Sequence, residues 1–223
     1  MLSRFLRLSC FPKAAGWLLG FSLVLGLMAT AGCTLARSLM VQTAPTTEKV
    51  APEFNRLAGK QVLVYVWAPP EILWDYPKVR LDLAAQLSAY LAKNVKGLTV
   101  VDPLRVEAHI EKSSDSDRDP VAVGRHFRAD MVVHLAIYKL SMRDPGMSHF
   151  QRGRIGSSVV VHDLTQADTT AQRTPLKDVE VAVPDEGPVG FLNMRPEQVR
   201  QATYDAFTIE VGKKFHEYER PVG

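Results

Sequence analysis

Cysteine is almost absent from this chain. Only Cys10 and Cys33 occur, and both precede the part that reads as folded. A disulfide within the domain and a cysteine-based zinc site are therefore excluded, and the fold must rest on its apolar core. A charge surplus is also missing from the body of the chain. The whole sequence carries 27 Lys+Arg against 24 Asp+Glu, a net +3. The three extra cations are Arg4, Arg7 and Lys13, and no acidic residue precedes Cys33. The remainder is balanced, which argues against a nucleic-acid partner. No apolar run reaches the ~20 residues of a spanning helix, because Gly20 and Gly26 interrupt the greasiest stretch. No Walker A, G-x-G-x-x-G, G-x-S-x-G or H-E-x-x-H sequence occurs, and no internal repeat is evident. Neither a cofactor nor a metal is expected.

What is present begins at the amino end. Arg4, Arg7 and Lys13 precede the apolar stretch 17–28, and the small residues Ala29, Thr30, Ala31 and Gly32 lead to Cys33. A basic start, a greasy core and a small-residue cleavage zone make a secretory signal peptide. Gly32-Cys33 after such a zone resembles the lipobox of bacterial lipoproteins, although Thr30 stands where that family usually has leucine. The resemblance implies cleavage before Cys33 and acylation of that cysteine. Two other readings stay open. Ala29-Thr30-Ala31 is also an A-x-A site for release of a soluble protein, and the apolar stretch is alternatively retained as an anchor.

Beyond Cys33 the expected order is β-α-β-α-α-β-β-β-α, a single α/β domain with a mixed sheet covered by helices. Residues 1–32 are the signal, 33–58 the lipidated cysteine and a tether (or a short helix at 37–42 packed on the domain), and 59–219 the domain. Residues 61–67 are apolar almost throughout and read as a strand buried on both faces. The pair Pro69-Pro70 ends it, and 71–78 reads as an aromatic loop. A helix over 79–95 follows from the i, i+3, i+4 recurrence of its apolar residues, with Gly97 just past its end. Residues 98–101 form a second strand, parallel to the first. Asp102-Pro103 and Asp119-Pro120 each read as an N-cap with proline in first position, opening helices over 103–112 and 120–128. Long strands over 130–142 and 150–164, another over 176–183 and a final helix over 196–219 complete the domain.

Several stretches resemble bacterial periplasmic lipoproteins built on the α/β domain of the TolB amino-terminal region. They are the opening strand 62–66, the strand 98–102 leading into a helix, the helix-to-strand turn Arg125-His-Phe-Arg-Ala-Asp-Met-Val-Val133, and the strand end Val159-Val-Val-His-Asp163. These are fold signatures and not catalytic ones. The Pro-Pro and aromatic segment after the first strand departs from the pattern and leaves the subfamily open. The resemblance implies work on an envelope complex. Thr34, where proteobacterial sorting reads aspartate as an inner-membrane signal, implies the outer membrane.

The candidate chemistry is thin. The six histidines are His109, His126, His134, His149, His162 and His216, and none makes a chelating i, i+4 pair. His162-Asp163 is a possible general base with its orienting acid, without a nucleophile beside it; the simpler reading is that Asp163 opens a turn. Asp115, Asp117 and Asp119 alternate like an oxygen-rich calcium loop, but Arg118 and Pro120 spoil the EF-hand pattern, and a solvated loop is the plainer reading. Two partner-binding patches stand out. Leu73, Trp74 and Tyr76 follow the carboxyl end of a strand, a usual position for binding loops, unless Leu73 and Trp74 tuck beneath the loop. Arg143, Arg152 and Arg154 flank a turn between two long strands and suit an anionic surface, unless the hairpin is merely solvated. The expected function is a membrane-tethered, non-catalytic adaptor or regulator of a cell-envelope complex, held at the membrane through Cys33. The alternatives are an envelope hydrolase using His162 and Asp163, and a homo-oligomeric structural lipoprotein.

Overall fold

The computed structural model describes residues 47–114, 118–144, 147–165, 173–185, 187, 189–190 and 194–221. Residues 49–219 form one compact unit. Its elements are β1 (Thr47–Val50), β2 (Gln61–Trp67), α1 (Pro70–Asp75), α2 (Val79–Asn94), β3 (Thr99–Val100), α3 (Pro103–Lys112), α4 (Pro120–His126), β4 (Met131–Asp144), β5 (Met147–Asp163), β6 (Arg173–Val183), β7 (Val189–Gly190), α5 (Pro196–Gly212) and β8 (Tyr218–Pro221). The main sheet runs β3-β2-β4-β5-β6, with β7 added beside β5, and β1 and β8 pair separately. β2 is parallel to β3 and β4, whereas β4, β5 and β6 are antiparallel. The fold is thus the expected mixed α/β sheet covered by helices.

Residues 62–66 are buried without a break, because helices lie on both sides of β2. One face packs on α2 and α5 through Leu83, Leu87, Leu91, Phe207 and Val211, with Val64, Val133 and Val159 beneath them. The other face is covered by α3 and α4, where Val106, Ile110 and Val123 meet Leu63, Tyr65 and Val132. Both aspartate caps form as expected. The Asp102 carboxylate accepts the Leu104 N–H at 3.0 Å, and that of Asp119 accepts the N–H groups of Val121 and Ala122 at 3.0 and 3.2 Å. Each satisfies donors that the first helical turn leaves unpaired.

Three expectations change. The domain begins before residue 59: Phe54 and Leu57 are buried in the larger core, and Phe54 N–H donates to the Lys214 carbonyl at 2.8 Å. The tether, read as 33–58, therefore gives up its carboxyl-terminal part, while residues 33–46, including the short helix over 37–42, lie outside the described residues. Second, 70–75 is a helix and not a loop. Proline at its first position lacks a donor that would be unpaired there anyway, and Ile72 and Leu73 pack on the core. Third, the last helix stops at Gly212, seven residues short of expectation. The chain turns there so that Phe215 is buried with its ring 6.3 Å from that of Phe54.

Both sheet edges are blunted against strand addition. β3 is two residues long. β6 carries Pro175, a bulge opposite 157–159, and at Lys177 an N–H already taken by the Glu53 carboxylate at 2.7 Å. Among the described residues, no helix is long and apolar enough to cross a membrane.

Candidate functional site

At the end of the molecule where β2 finishes, aromatic side chains reach the surface. Trp67, the last residue of β2, is 45% exposed, and Trp74 on α1 is 87% exposed. Leu73 and Tyr76 are half-buried and pack on the core. The satellite-cluster reading thus holds for Leu73 and fails for Trp74: on a two-turn helix the residue next to a core-facing position points outward. Tyr65, Trp67, Pro70, Leu73, Arg80 and Asp119 line an open cleft of about 440 Å³ here. Tyr65 reaches its floor and donates its hydroxyl proton to the Arg118 carbonyl at 2.6 Å. Arg80, at the start of α2, forms an ion pair with Glu107 of α3 across the top of the sheet. Its Nε is buried without a hydrogen-bond partner. This is the crevice at the carboxyl ends of parallel strands, between helices on opposite faces, where ligands of open α/β sheets commonly sit.

The two patches expected from sequence meet at one point. The Tyr76 hydroxyl lies beside the Met142 backbone, and burial holds its ionisation above the usual tyrosine range, while the Met142 backbone, Arg143 and Arg200 pull the other way. Arg143 is exposed beside this contact. Arg152 and Arg154 are half-buried instead. Arg152 donates to the Asp185 carbonyl at 3.0 Å. The hairpin is therefore not a free basic prong, because these two arginines lie within its sheet.

His162 and Asp163 do not form a catalytic dyad. Successive strand residues point to opposite faces. Asp163 is buried, accepts the Thr165 N–H at 3.1 Å and lies 3.5 Å from Arg56, which fits the turn reading. His162 lies on the other face, its ring 5.8 Å from that of His134, and its Nε2 is buried without a hydrogen-bond partner. His134 in turn packs edge-on to Tyr65 at 5.3 Å. Burial, then the neighbouring His162, lowers the His134 pKa to about 4, against an opposing pull from Asp119. Burial likewise lowers that of His162. Sequence reading missed this trio because its members lie on three strands, far apart in the chain. Asp115 and Asp117 lie outside the described residues, and Asp119 is committed to capping α4. Among the described residues, no three His, Asp or Glu side chains gather as metal ligands.

The opposite end, where β2 and β4 begin, was not anticipated. Gly59 N–H donates to the Lys96 carbonyl at 3.1 Å, Thr99 N–H to that of Lys60 at 3.0 Å, and Asp130 N–H to that of Gln61 at 2.7 Å. The Gln61 side chain reaches the Phe127 carbonyl at 3.1 Å. These bonds gather the loops around residues 59, 96 and 128 into one surface, which carries exposed Lys93, Lys96, Arg125 and Arg128.

No family model matches the chain, and no curated protein does. Among solved structures, it is similar to the PelC dodecamer from Paraburkholderia phytofirmans, with a TM-score of 0.44 and 9% identity over 77% of this chain and 97% of that one. The lipoprotein GNA1162 from Neisseria meningitidis gives 0.35 and 14% over 64% and 94%. A minor lipoprotein from Acinetobacter baumannii gives 0.36 and 13% over 74% and 99%. None of these scores reaches 0.5, and the functional reading rests on this chain's own residues.

Proposed function

We propose that this chain is an extracytoplasmic lipoprotein, acylated at Cys33, whose α/β domain serves as a non-catalytic adaptor in a cell-envelope complex. The exposure of Trp74, on a helix seated on the core by Ile72 and Leu73, is the observation that carries the adaptor role. A large aromatic held in water on a rigid element costs hydrophobic free energy that a partner's pocket recovers. Trp67 and Tyr76 extend the same surface, and Arg143 supplies a charged rim. The sequence Ala31-Gly32-Cys33 supports the anchor. Acyl chains contribute ~0.8 kcal/mol per buried CH₂, and two chains hold a protein stably. Thr34 after the cysteine favours the outer membrane.

Mass spectrometry of the amino-terminal peptide tests the anchor. A diacylglyceryl-modified Cys33 at the new amino terminus is expected; an unmodified peptide beginning at Gly32, or one retaining the leader, would overturn it. A photo-crosslinking residue placed at position 74 tests the adaptor role. Capture of a defined partner, lost on Trp67→Ala, is expected. Equal capture from position 139, on the β4–β5 arm, would count against a specific aromatic surface. Sedimentation of the mature chain separates self-capture in a homo-oligomer from capture of another protein.

A further inference from the structure

We propose that the end of the domain opposite the aromatic surface is a docking face for anionic lipid headgroups, built from Lys93, Lys96, Arg125 and Arg128 with Lys60 between them. The choice of lipid as occupant rests on the reading of Cys33 as an acylation site. The face itself rests on the structure.

Three observations converge. First, the cations are uncompensated. Lys93, Lys96, Arg125 and Arg128 are exposed, and none has an acid within ion-pair distance among the described residues. The acids nearby are fewer than the cations and are held by the protein's own groups: Asp130 accepts the Gln61 N–H at 2.8 Å, Asp102 caps α3, and Asp163 is buried against Thr165 and Arg56. Several surface cations elsewhere are paired or sit beside acids, as Lys78 and Arg200 do with Asp75 and Asp82 around one pocket at the aromatic end. Lys49 lies 3.2 Å from Glu217, Lys214 2.8 Å from Glu53, and Lys139 3.8 Å from Glu180. A chain balanced overall therefore carries a local positive surplus at this pole, where exposed cations within about a Debye length act together.

Second, Arg128 sits at φ +55°. A side chain in the left-handed region is unfavourable, and glycine or asparagine fills it more cheaply. A long cation held there projects from the turn that joins α4 to β4, and the backbone gains nothing from its being arginine.

Third, the chain enters at this end. From Lys49 it runs through Phe54 and Arg56 directly to Gly59, whose N–H is bonded to the Lys96 carbonyl. Even fully extended, the chain from Cys33 to Lys49 spans no more than about 58 Å. Lipid at Cys33 thus leaves this pole, where the chain enters, within reach of the bilayer. Negative headgroups then turn it inward, and the aromatic surface faces away from the membrane. Orientation, rather than mere attachment, is what the basic face adds.

The test uses residues 33–223 carrying Cys33→Ser, so that no chain is acylated, with vesicles of phosphatidylcholine alone or mixed with phosphatidylglycerol. Binding to the mixed vesicles only, weakening as salt rises, is expected. Lys96→Glu and Arg125→Glu should each weaken it by about tenfold, since each reversal exchanges attraction for repulsion. Lys139→Glu makes the same charge change on the far arm and should alter binding less than about twofold. Arg128→Gly should weaken binding while leaving the thermal midpoint unchanged or raised, because it relieves the backbone. Equal binding to neutral vesicles, an equal loss in Lys139→Glu, or tighter binding to duplex DNA than to the mixed vesicles would each overturn the proposal. Because every chain here lacks the acylation site, failure leaves the Cys33 reading standing. An unmodified Cys33 in cells would conversely leave this measurement unchanged.

Discussion

The two faces of the sheet are built to different specifications. Under α2 and α5 the core runs from Phe54 and Leu57 to Ile155 and Val179, and leucines repeat along α2 against Phe207 and Val211. Under α3 and α4 the apolar cluster is small, and the same face continues into Tyr65, His134 and His162. Farther along it Tyr138, 48% exposed, lies over Gly156, where a Cβ would come 2.7 Å from its ring. Long helices with wide apolar stripes bury their whole length, whereas α3 and α4 are short and cover only the parallel edge of the sheet. One face thus buries most of the apolar side chains. The other leaves polar and aromatic groups at or near water, at the boundary where binding surfaces form.

Several measurements break or sharpen that contrast. The largest effect is expected from Phe207→Ala, which empties a fully buried position in the larger core and should cost about 3–5 kcal/mol in urea unfolding. Val123→Ala, equally buried on the other face, should cost clearly less, because fewer atoms are lost and fewer neighbours surround them. If the two losses were equal, the division of labour would not stand.

Acid should act through the second face. His134 titrates at about 4 in the folded protein, below its unfolded value of 6.5. Between these values the unfolded chain binds more protons, so this contribution to stability is complete above pH 6.5 and is lost as pH falls towards 4. The loss is at most about 3 kcal/mol. Unfolding midpoints at about pH 7 and about pH 4.5 should differ less in His134→Phe than in the wild type. An unchanged difference would mean that the histidine trio is not what acid attacks.

Smaller effects follow at the helix starts and the surface. Asp119→Ala removes the acceptor for two α4 N–H groups and should cost about 1 kcal/mol, measured as a fall in thermal midpoint. Trp74→Ala should change stability by less than about 0.5 kcal/mol, since the ring is 87% exposed, while abolishing partner capture. A large destabilisation there would make Trp74 a structural residue and remove the case for an adaptor surface.

Much of the fold was legible because its signals are local. The unbroken apolar run of β2, the i, i+3, i+4 recurrence in α2, and the two Asp-Pro caps each depend on neighbours a few residues away. The errors lie where a distant contact decided the outcome. Phe54 and Leu57 looked like tether because nothing nearby in sequence shows that the loops after α2 and α5 receive them. Residues 70–75 looked like a loop because two prolines usually stop structure, yet the second stands where a helix begins and the core takes the residues after it. Of the candidate surface, Trp74 was legible from its aromatic setting. Arg152 and Arg154 were misplaced as a prong because exposure depends on what the hairpin packs beside, and the His134–His162 pair and the basic pole had no signature at all.

The sequence by itself determined the class of sheet, the helices that cover it, and the near-balance of charge after Cys33. The sheet, the helices and the charge balance follow from composition and short-range periodicity, which each residue carries with it. Only the tertiary structure decided which charges stay unpaired, which aromatic remains in water, and which end of the domain the chain enters. Those depend on loops far apart in sequence being hydrogen-bonded side by side at the ends of parallel strands, and no local pattern encodes that adjacency.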